Sequence, residues 1–374
     1  MPERRSSPVE LLWDLVFVFA VTQVSSLLAR DMSWLGLGHA MIVLALMWWA
    51  WSAFVWVANA EPEDSLVLRG VLLTAMAFIF VTGLALPHAF GSQATLFSVT
   101  YVLVRFLHLG FYAYVSRRGN AAWSALVGFM LSTTVGMAML VAGSFLDEGP
   151  RAIVWTAALA LDYAGPAWFT RERLRGLQEV AVAHFAERYG LFVIICLGES
   201  IVAIGLSADR ESLDAEVLTA VALGLLATIG LWWTYFERVA GTAEAHLRTH
   251  RDPVLAAADG YSYIHLVIVA GIIVFAVGMK VTIHQLGEPL SEAARLATCG
   301  GVAAYLVGDA AFRLRLAGEL DVAKLVAAAA LLVLFAVGGG LSALWLTAAA
   351  TLVLAALCTL ETVSTAHELE KEEA

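Results

Sequence analysis

Charged side chains are scarce in this chain, and several lie inside long apolar stretches. Glu10 and Asp14 open one such stretch four residues apart, which places both on one helical face. Ser25, eleven residues after Asp14, returns to that face about 16 Å further on, so the stripe is able to line a cation path. The plainer alternative has Glu10 complementing the positive end of its helix and Asp14 pairing with an arginine of another helix. His184, Glu187 and Arg188 share a face at spacings of three and four. Arg188 is expected to neutralise one carboxylate at the cytoplasmic surface. Glu199 stands between Leu197-Gly198 and Ser200-Ile201, midway along an apolar run, with no cation within one turn. A carboxyl in low dielectric is either protonated or paired across helices. Glu199 is therefore the leading candidate for carrying a proton or binding a cation, against a neutral acid hydrogen-bonded to a backbone carbonyl.

Arg105, His108 and Tyr112 recur at helical spacing and form a second stripe. Arg105 keeps its proton and must face an anion. Asp162 is the favoured partner in a structural pair, with an anion-binding Arg105 as the alternative. Asp309 and Arg313 are four apart and are expected to pair along their own helix. Lys280 is read as snorkelling and His265 as packing. Ionisable groups at membrane depth are costly and so functional candidates by default. The substrate- or ion-binding candidates are Asp14, Glu199, Glu10, Glu187, Arg105, His108 and Asp162; the structural ion-pair candidates are Arg188, His184, Asp309 and Arg313.

Other chemistry finds no motif. No catalytic set, metal site or cofactor is expected. His246 and His250 lie near Glu244 and Asp252 without a further zinc-ligand signature, and Cys196, Cys299 and Cys358 make no metal motif. Gly198-Glu199-Ser200 is not a nucleophile elbow, and Walker and dinucleotide glycine patterns are absent. The Trp clusters are read as packing between helices, with gating or a cation–π contact as the alternative.

The elements that must position these groups are membrane helices. Of 374 residues, 60% are hydrophobic and 14% charged, and mean hydropathy is +0.80. A soluble domain is nearer about half apolar and about a quarter charged. Apolar stretches long enough to cross a roughly 30 Å hydrocarbon core predict twelve helices, at 9–29, 37–58, 66–87, 95–115, 121–145, 150–169, 189–207, 217–237, 261–284, 294–316, 320–338 and 341–360. Gly338-Gly339-Gly340 is the expected tight turn between the last two. Arg4-Arg5 before an apolar run resembles a signal peptide, but the run is long and lacks a small-x-small site, which favours an uncleaved first helix.

Landmarks repeat in order. ELLWDLVFVFAVTQ precedes a helix with Trp48-Trp49-Ala50-Trp51 and Phe54, a charged loop, and a helix ending at Pro87-His88. ERYGLFVIICLGES precedes a helix with Trp232-Trp233-Thr234-Tyr235-Phe236, a charged loop, and a helix ending at Ile283-His284. Loop arginines and lysines gather on one side, from Arg4-Arg5 and Arg117-Arg118 through Arg171, Arg173, Arg175 and Arg238 to Arg313, Arg315 and Lys371. The other side receives Arg30, Arg151 and Arg210. The asymmetry predicts both termini in the cytoplasm and an even helix count. Six helices per half then makes the repeats parallel.

The expected fold is all-α, an integral membrane helical bundle of about 12 transmembrane helices in two parallel six-helix repeats. The first repeat covers 1–170, a cytoplasmic linker 171–186, the second repeat 187–361 and an acidic cytoplasmic tail 362–374. The net charge of −10 sits largely in that tail and in Asp209–Glu216. Basic patches interleaved with aromatics are absent, which argues against nucleic acid as a partner.

Val9-Glu10-Leu11-Leu12-Trp13-Asp14-Leu15-Val16-Phe17-Val18-Phe19-Ala20 resembles the opening signature of the bacterial low-temperature-requirement A (LtrA) family, with Trp13 where a Phe is expected. His184-Phe185-Ala186-Glu187-Arg188-Tyr189-Gly190-Leu191-Phe192, continuing to Leu197-Gly198-Glu199-Ser200, resembles its second signature. The resemblance spans essentially the whole chain. It implies a multi-pass protein of the bacterial cytoplasmic (inner) membrane whose absence is linked to poor growth in the cold, and it supplies no settled substrate. Fold-level analogy to potassium channels with two parallel six-helix repeats suggests an ion pathway along the first and seventh helices. The expected function is a transporter or ion-conducting protein with a proton- or cation-binding carboxylate at the repeat interface. The alternative is a membrane-embedded enzyme or non-transporting scaffold acting on lipid or a hydrophobic metabolite. Expected partners are the lipid bilayer and a small ion or small-molecule substrate.

Overall fold

The computed structural model describes residues 6–62, 65–118, 123–165, 181–237 and 241–372. The chain is helical, and the β pairing among the described residues is one isolated bridge between Pro289 and Ser342. Its helices are α1 (Pro8–Arg30), α2 (Trp34–Asn59), α3 (Leu66–Ala85), α4 (Ala94–Arg118), α5 (Trp123–Gly143), α6 (Glu148–Ala164) and α7 (Val182–Ala208). They continue with α8 (Ala215–Tyr235), a short α9 (Gly241–Thr249), α10 (Pro253–His284), α11 (Gly301–Ala317), α12 (Val322–Val337) and α13 (Ala343–Glu372).

Among the described residues nine helices are long and apolar enough to cross a membrane: α1–α4, α7, α8, α10, α12 and α13. Each lies at one of the twelve expected positions. Helices α5, α6 and α11 stand at the other three. The apolar part of α5 is confined to Val127–Gly143, and α6 and α11 have 17 residues each. The expected linker is partly helical, because α7 begins at Val182 and takes in His184; residues 171–180, with Arg171, Arg173 and Arg175, lie outside the described residues, as do Arg4, Arg5 and Arg238. The acidic tail continues α13 as far as Glu372.

Helix ends follow local chemistry. Pro8 occupies the first turn of α1, where a missing N–H costs nothing, and Ser7 and Glu10 form a capping box. Side chains of Ser33, Ser65, Asp214 and Asp321 cap α2, α3, α8 and α12. Gly318, at φ +74°, ends α11 in the left-handed conformation that glycine adopts without strain. Gly338–Gly340 forms a 3-10 turn between α12 and α13, at the place expected.

Packing divides the chain into two compact units. The first comprises Met1–Phe192 with Leu247–Ser262, the second Val193–His246 with Tyr263–Ala374. In the first, Trp13, Trp48, Trp51 and Trp155 are fully buried. Trp13 packs on Phe17 and Phe54 with ring centroids 4.9 and 4.6 Å away, within the range where aromatic pairs attract beyond area burial. In the second, α10 and α11 meet backbone to backbone through Gly271, Gly301 and Gly308, and Gly278 of α10 lies against the Ala297–Thr298 backbone just ahead of α11. A Cβ on Gly271 would lie 2.6 Å from the Tyr305 nitrogen, and one on Gly301 2.6 Å from the Phe275 nitrogen. Small residues at such crossings let membrane helices gain van der Waals contact where no hydrophobic force distinguishes protein from lipid. Ala258–Ile264 of α10 is wound as a π turn, an arrangement common at functional sites.

Candidate functional site: a buried carboxylate cluster in the first unit

The α1 carboxylates are held from three helices. Glu10 turns Oε2 back to its own helix start, where it accepts hydrogen bonds from the Ser7 N–H and Ser7 hydroxyl, both at 2.8 Å. Its Oε1 faces α7, 3.2 Å from His184 Nε2 and 3.2 Å from Arg188 Nη1. Asp14, one turn deeper, accepts through Oδ1 from Arg188 Nη2 at 2.6 Å and from the Trp51 indole N–H of α2 at 2.7 Å. Asp14 Oδ2 is buried with no hydrogen-bond partner among the described residues. His184 Nδ1 lies 3.3 Å from Asn59 Oδ1 at the end of α2. Glu10 and His184 are 0% exposed, Arg188 1% and Asp14 2%.

Both plain readings of the α1 acids therefore describe real contacts: Glu10 caps its helix and Asp14 pairs with an arginine of another helix. Two expectations need correction. Arg188 does not neutralise one carboxylate at a surface; it is buried and bridges two, a task suited to the two-pronged guanidinium. Glu187 does not share the buried face. It is exposed, and its carboxylate accepts from the Ser6 N–H at 3.3 Å. At about 100° per residue, His184 and Arg188 diverge by only about 40°, whereas Glu187 is turned about 100° from Arg188. Ser25 is buried, but its hydroxyl donates to the Val21 carbonyl at 3.3 Å within α1, so the stripe does not end in a free hydroxyl.

Beside Arg188 on α7, Tyr189 belongs to a hydroxyl cluster that spacing along the chain did not reveal. Tyr189 and Ser52 hydroxyls are 2.6 Å apart. Ser262 Oγ, in the π turn, accepts from Ser52 at 3.1 Å and from the Trp56 indole at 2.7 Å and lies 3.2 Å from the Tyr189 hydroxyl. The Trp48 indole donates to the Ser262 carbonyl at 2.7 Å. The α2 tryptophans thus pack as expected, and three of them also donate hydrogen bonds, to Asp14 and to Ser262. The available signal was that buried indoles need acceptors.

The remaining candidates lie elsewhere. In the first unit the expected Arg105–Asp162 pair is present. Arg105 Nη2 donates to both Asp162 oxygens at 3.0 and 2.9 Å, and the Thr133 hydroxyl donates to Oδ1 at 2.8 Å. His108, also buried, packs its ring 5.5 Å from that of Phe54 and 6.0 Å from that of Tyr112. In the second unit Glu199 is buried on α7. Asp309 does not pair with Arg313. It pairs with Lys324 of α12, while Arg313 binds Glu319 at 2.7 Å and Asp321 at 3.2 Å. Lys324 was legible as an ionisable residue inside the apolar run 320–338, the same signal that marked Glu199.

Residues 5–359 match the family described as bacterial low temperature requirement A protein (LtrA). An uncharacterized protein of Rhizobium meliloti (strain 1021) is 32% identical over 321 residues, covering 82% of this chain and 76% of that protein. No solved structure matches the chain. The family match takes in the α1 acids, the α7 bases and every helix from α1 to α12. By that extent of match, the chain belongs to the bacterial low temperature requirement A (LtrA) family.

Proposed function

We propose that this protein is a transporter or ion-conducting protein in which Asp14 binds the proton or cation that moves. The observation that carries the reading is the Asp14 carboxylate. One oxygen takes both donors, and the other is buried with no hydrogen-bond partner among the described residues. A buried acceptor left without a donor costs about 1–3 kcal/mol, and more when charged. A proton or cation at Oδ2 would relieve that cost. Arg188 and Trp51 hold the carboxylate in place, so the orientation of Oδ2 is set before the ion arrives. His184, between Glu10 and Asn59, completes the buried polar surroundings of the α1 acids. Glu199, buried in the second unit, is the further carboxylate of this proposal.

Flux through liposomes containing the purified protein tests the reading, with proton, sodium and potassium gradients applied in turn. Asp14→Asn and Glu199→Gln keep size and hydrogen-bonding capacity while removing the titratable charge. Flux should fall roughly tenfold or more, as loss of a charge-assisted contact worth about 1.5–3 kcal/mol implies. Full flux by Asp14→Asn at normal abundance, or no flux by the parent under any gradient, would sink the proposal.

We propose also a multi-pass protein of the bacterial cytoplasmic membrane with both termini in the cytoplasm, as the gathering of loop arginines and lysines on one side supports, and hence with an even helix count. A reporter fused at Ala374 should read cytoplasmic and one inserted near Ala215 should read outside. A cytoplasmic readout at Ala215 would overturn the topology.

A further inference from the structure

Lys324 lies in the first turn of α12, where Asp321 caps the helix by accepting from the Lys324 backbone N–H at 3.2 Å. Its side chain runs into the second unit and is wholly buried, as is Asp309 of α11. The ammonium donates to Asp309 Oδ2 and to the Thr234 carbonyl at the end of α8, 3.4 Å away. Glu361 Oε1 of α13, itself buried, lies 3.8 Å from it. Four helices converge on one cation. A staple between helices needs one carboxylate, and here a second stands within reach. In addition, Asp309 Oδ1 is buried and has no hydrogen-bond partner among the described residues. Fold support explains these features poorly, since a buried ion pair is often no more stabilising than apolar side chains of the same volume.

We propose that Asp309 is a proton-binding site, with Lys324 as an internal counter-ion that shifts its pairing to Glu361 when Asp309 takes up the proton. The proton, delivered by water, forms an O–H bond with a lone pair of Oδ1. Asp309 becomes neutral, Lys324 keeps its own proton, and the ammonium transfers its ion pair to Glu361. Release reverses each step. A proton suits the site because it needs a single acceptor, and the ammonium already holds the cation position on Oδ2.

The surrounding groups leave Lys324 and Glu361 as the pair able to respond. On α11, Arg313 is engaged by Glu319 and Asp321, and the Tyr305 hydroxyl donates to the Leu231 carbonyl of α8 at 2.6 Å. His265 of α10 is bonded to Tyr235 of α8 at 2.7 Å. Cys358 on α13 lies within electrostatic range of Glu361 and Lys324, and its thiol donates to the Gly230 carbonyl.

The test is a pH titration of the purified full-length protein in lipid nanodiscs, followed by infrared difference spectroscopy of protonated carboxyl groups with carbon-13 in the aspartate side chains. A label-sensitive band should grow as pH falls, persist in Asp14→Asn and vanish in Asp309→Asn. In Glu361→Gln it should titrate at lower pH, because Lys324 then has no second carboxylate to move to. If Asp309→Asn fails to accumulate, Asp309→Glu serves under the same label, because its carboxyl no longer carries the isotope and the band must disappear. If the band that persists in Asp14→Asn also survives substitution of Asp309, or if no titrating aspartate band persists in Asp14→Asn, the proposal is overturned. The readout is protonation and not flux, so its outcome is separable from that of the Asp14 reading.

Discussion

Arg188→Met should remove most of the folded protein from the membrane. The guanidinium touches both Glu10 and Asp14, and all three side chains are buried. Methionine fills much of the volume but leaves two carboxylates without their shared cation. Breaking a buried pair from one side costs about 3–5 kcal/mol, a large share of the roughly 5–15 kcal/mol that holds a typical domain folded. Here His184 and Trp51 would still donate to Glu10 and Asp14, which places the expected loss within that range and not above it. Arg188→Lys should recover part of the stability, because a single ammonium cannot reproduce two diverging N–H prongs. Adding Glu10→Gln and Asp14→Asn to Arg188→Met should recover more than either acid substitution alone, the non-additivity expected of one network. Thermal unfolding of purified protein, alongside abundance in the membrane, reads all of these. Arg188→Met as abundant and as heat-stable as the parent would mean that the acids are held by something other than this arginine.

The same cluster shows where reading the sequence succeeded and where it stopped. Helix positions were legible because length and apolarity alone decide whether a segment can span a bilayer. Glu10, Asp14, Arg105 and Asp162 were legible because a charge in such a segment is rare enough to stand out. What remained hidden was the partner. Spacing along a chain reports neighbours three and four residues away on one helix, and that rule suggested Asp309 with Arg313. Lys324, fifteen residues beyond Asp309 and on the next helix, took the aspartate instead. Trp51 donating to Asp14, and Ser262 meeting Tyr189 and Ser52, involve separations of 37, 73 and 210 residues. Helix crossings set such contacts, and no local pattern encodes them. Glu187 failed for a finer reason: positions 184, 187 and 188 spread over about 100° of the helix, and which part of that arc met α1 belonged to the packing of α7.

Asp162→Ala should be nearly as damaging as loss of Arg188, for the opposite charge. Arg105 is 0% exposed, and its contact with Asp162 is reinforced by Thr133. An arginine does not shed its proton, so the substitution leaves a buried cation with no anion, again at a cost of about 3–5 kcal/mol. Asp162→Asn should fall between, since the amide oxygen can still accept from the guanidinium. The informative variant is the double replacement Arg105→Met with Asp162→Leu. Swapping a buried pair for apolar side chains of similar size is often neutral or stabilising by about 1–4 kcal/mol, so its heat stability should return to the parent's or exceed it. Stability alone would not separate a static pair from an arginine that also meets a passing anion. That possibility has a physical basis: Arg105 Nε and Nη1 are buried with no hydrogen-bond partner among the described residues. Flux separates the two roles. Asp162 already supplies the counter-charge of Arg105, so the pair is expected to be scaffold, and the double variant should carry the parent's flux. A double variant that is stable and abundant yet silent would make Arg105 a contact for the transported species.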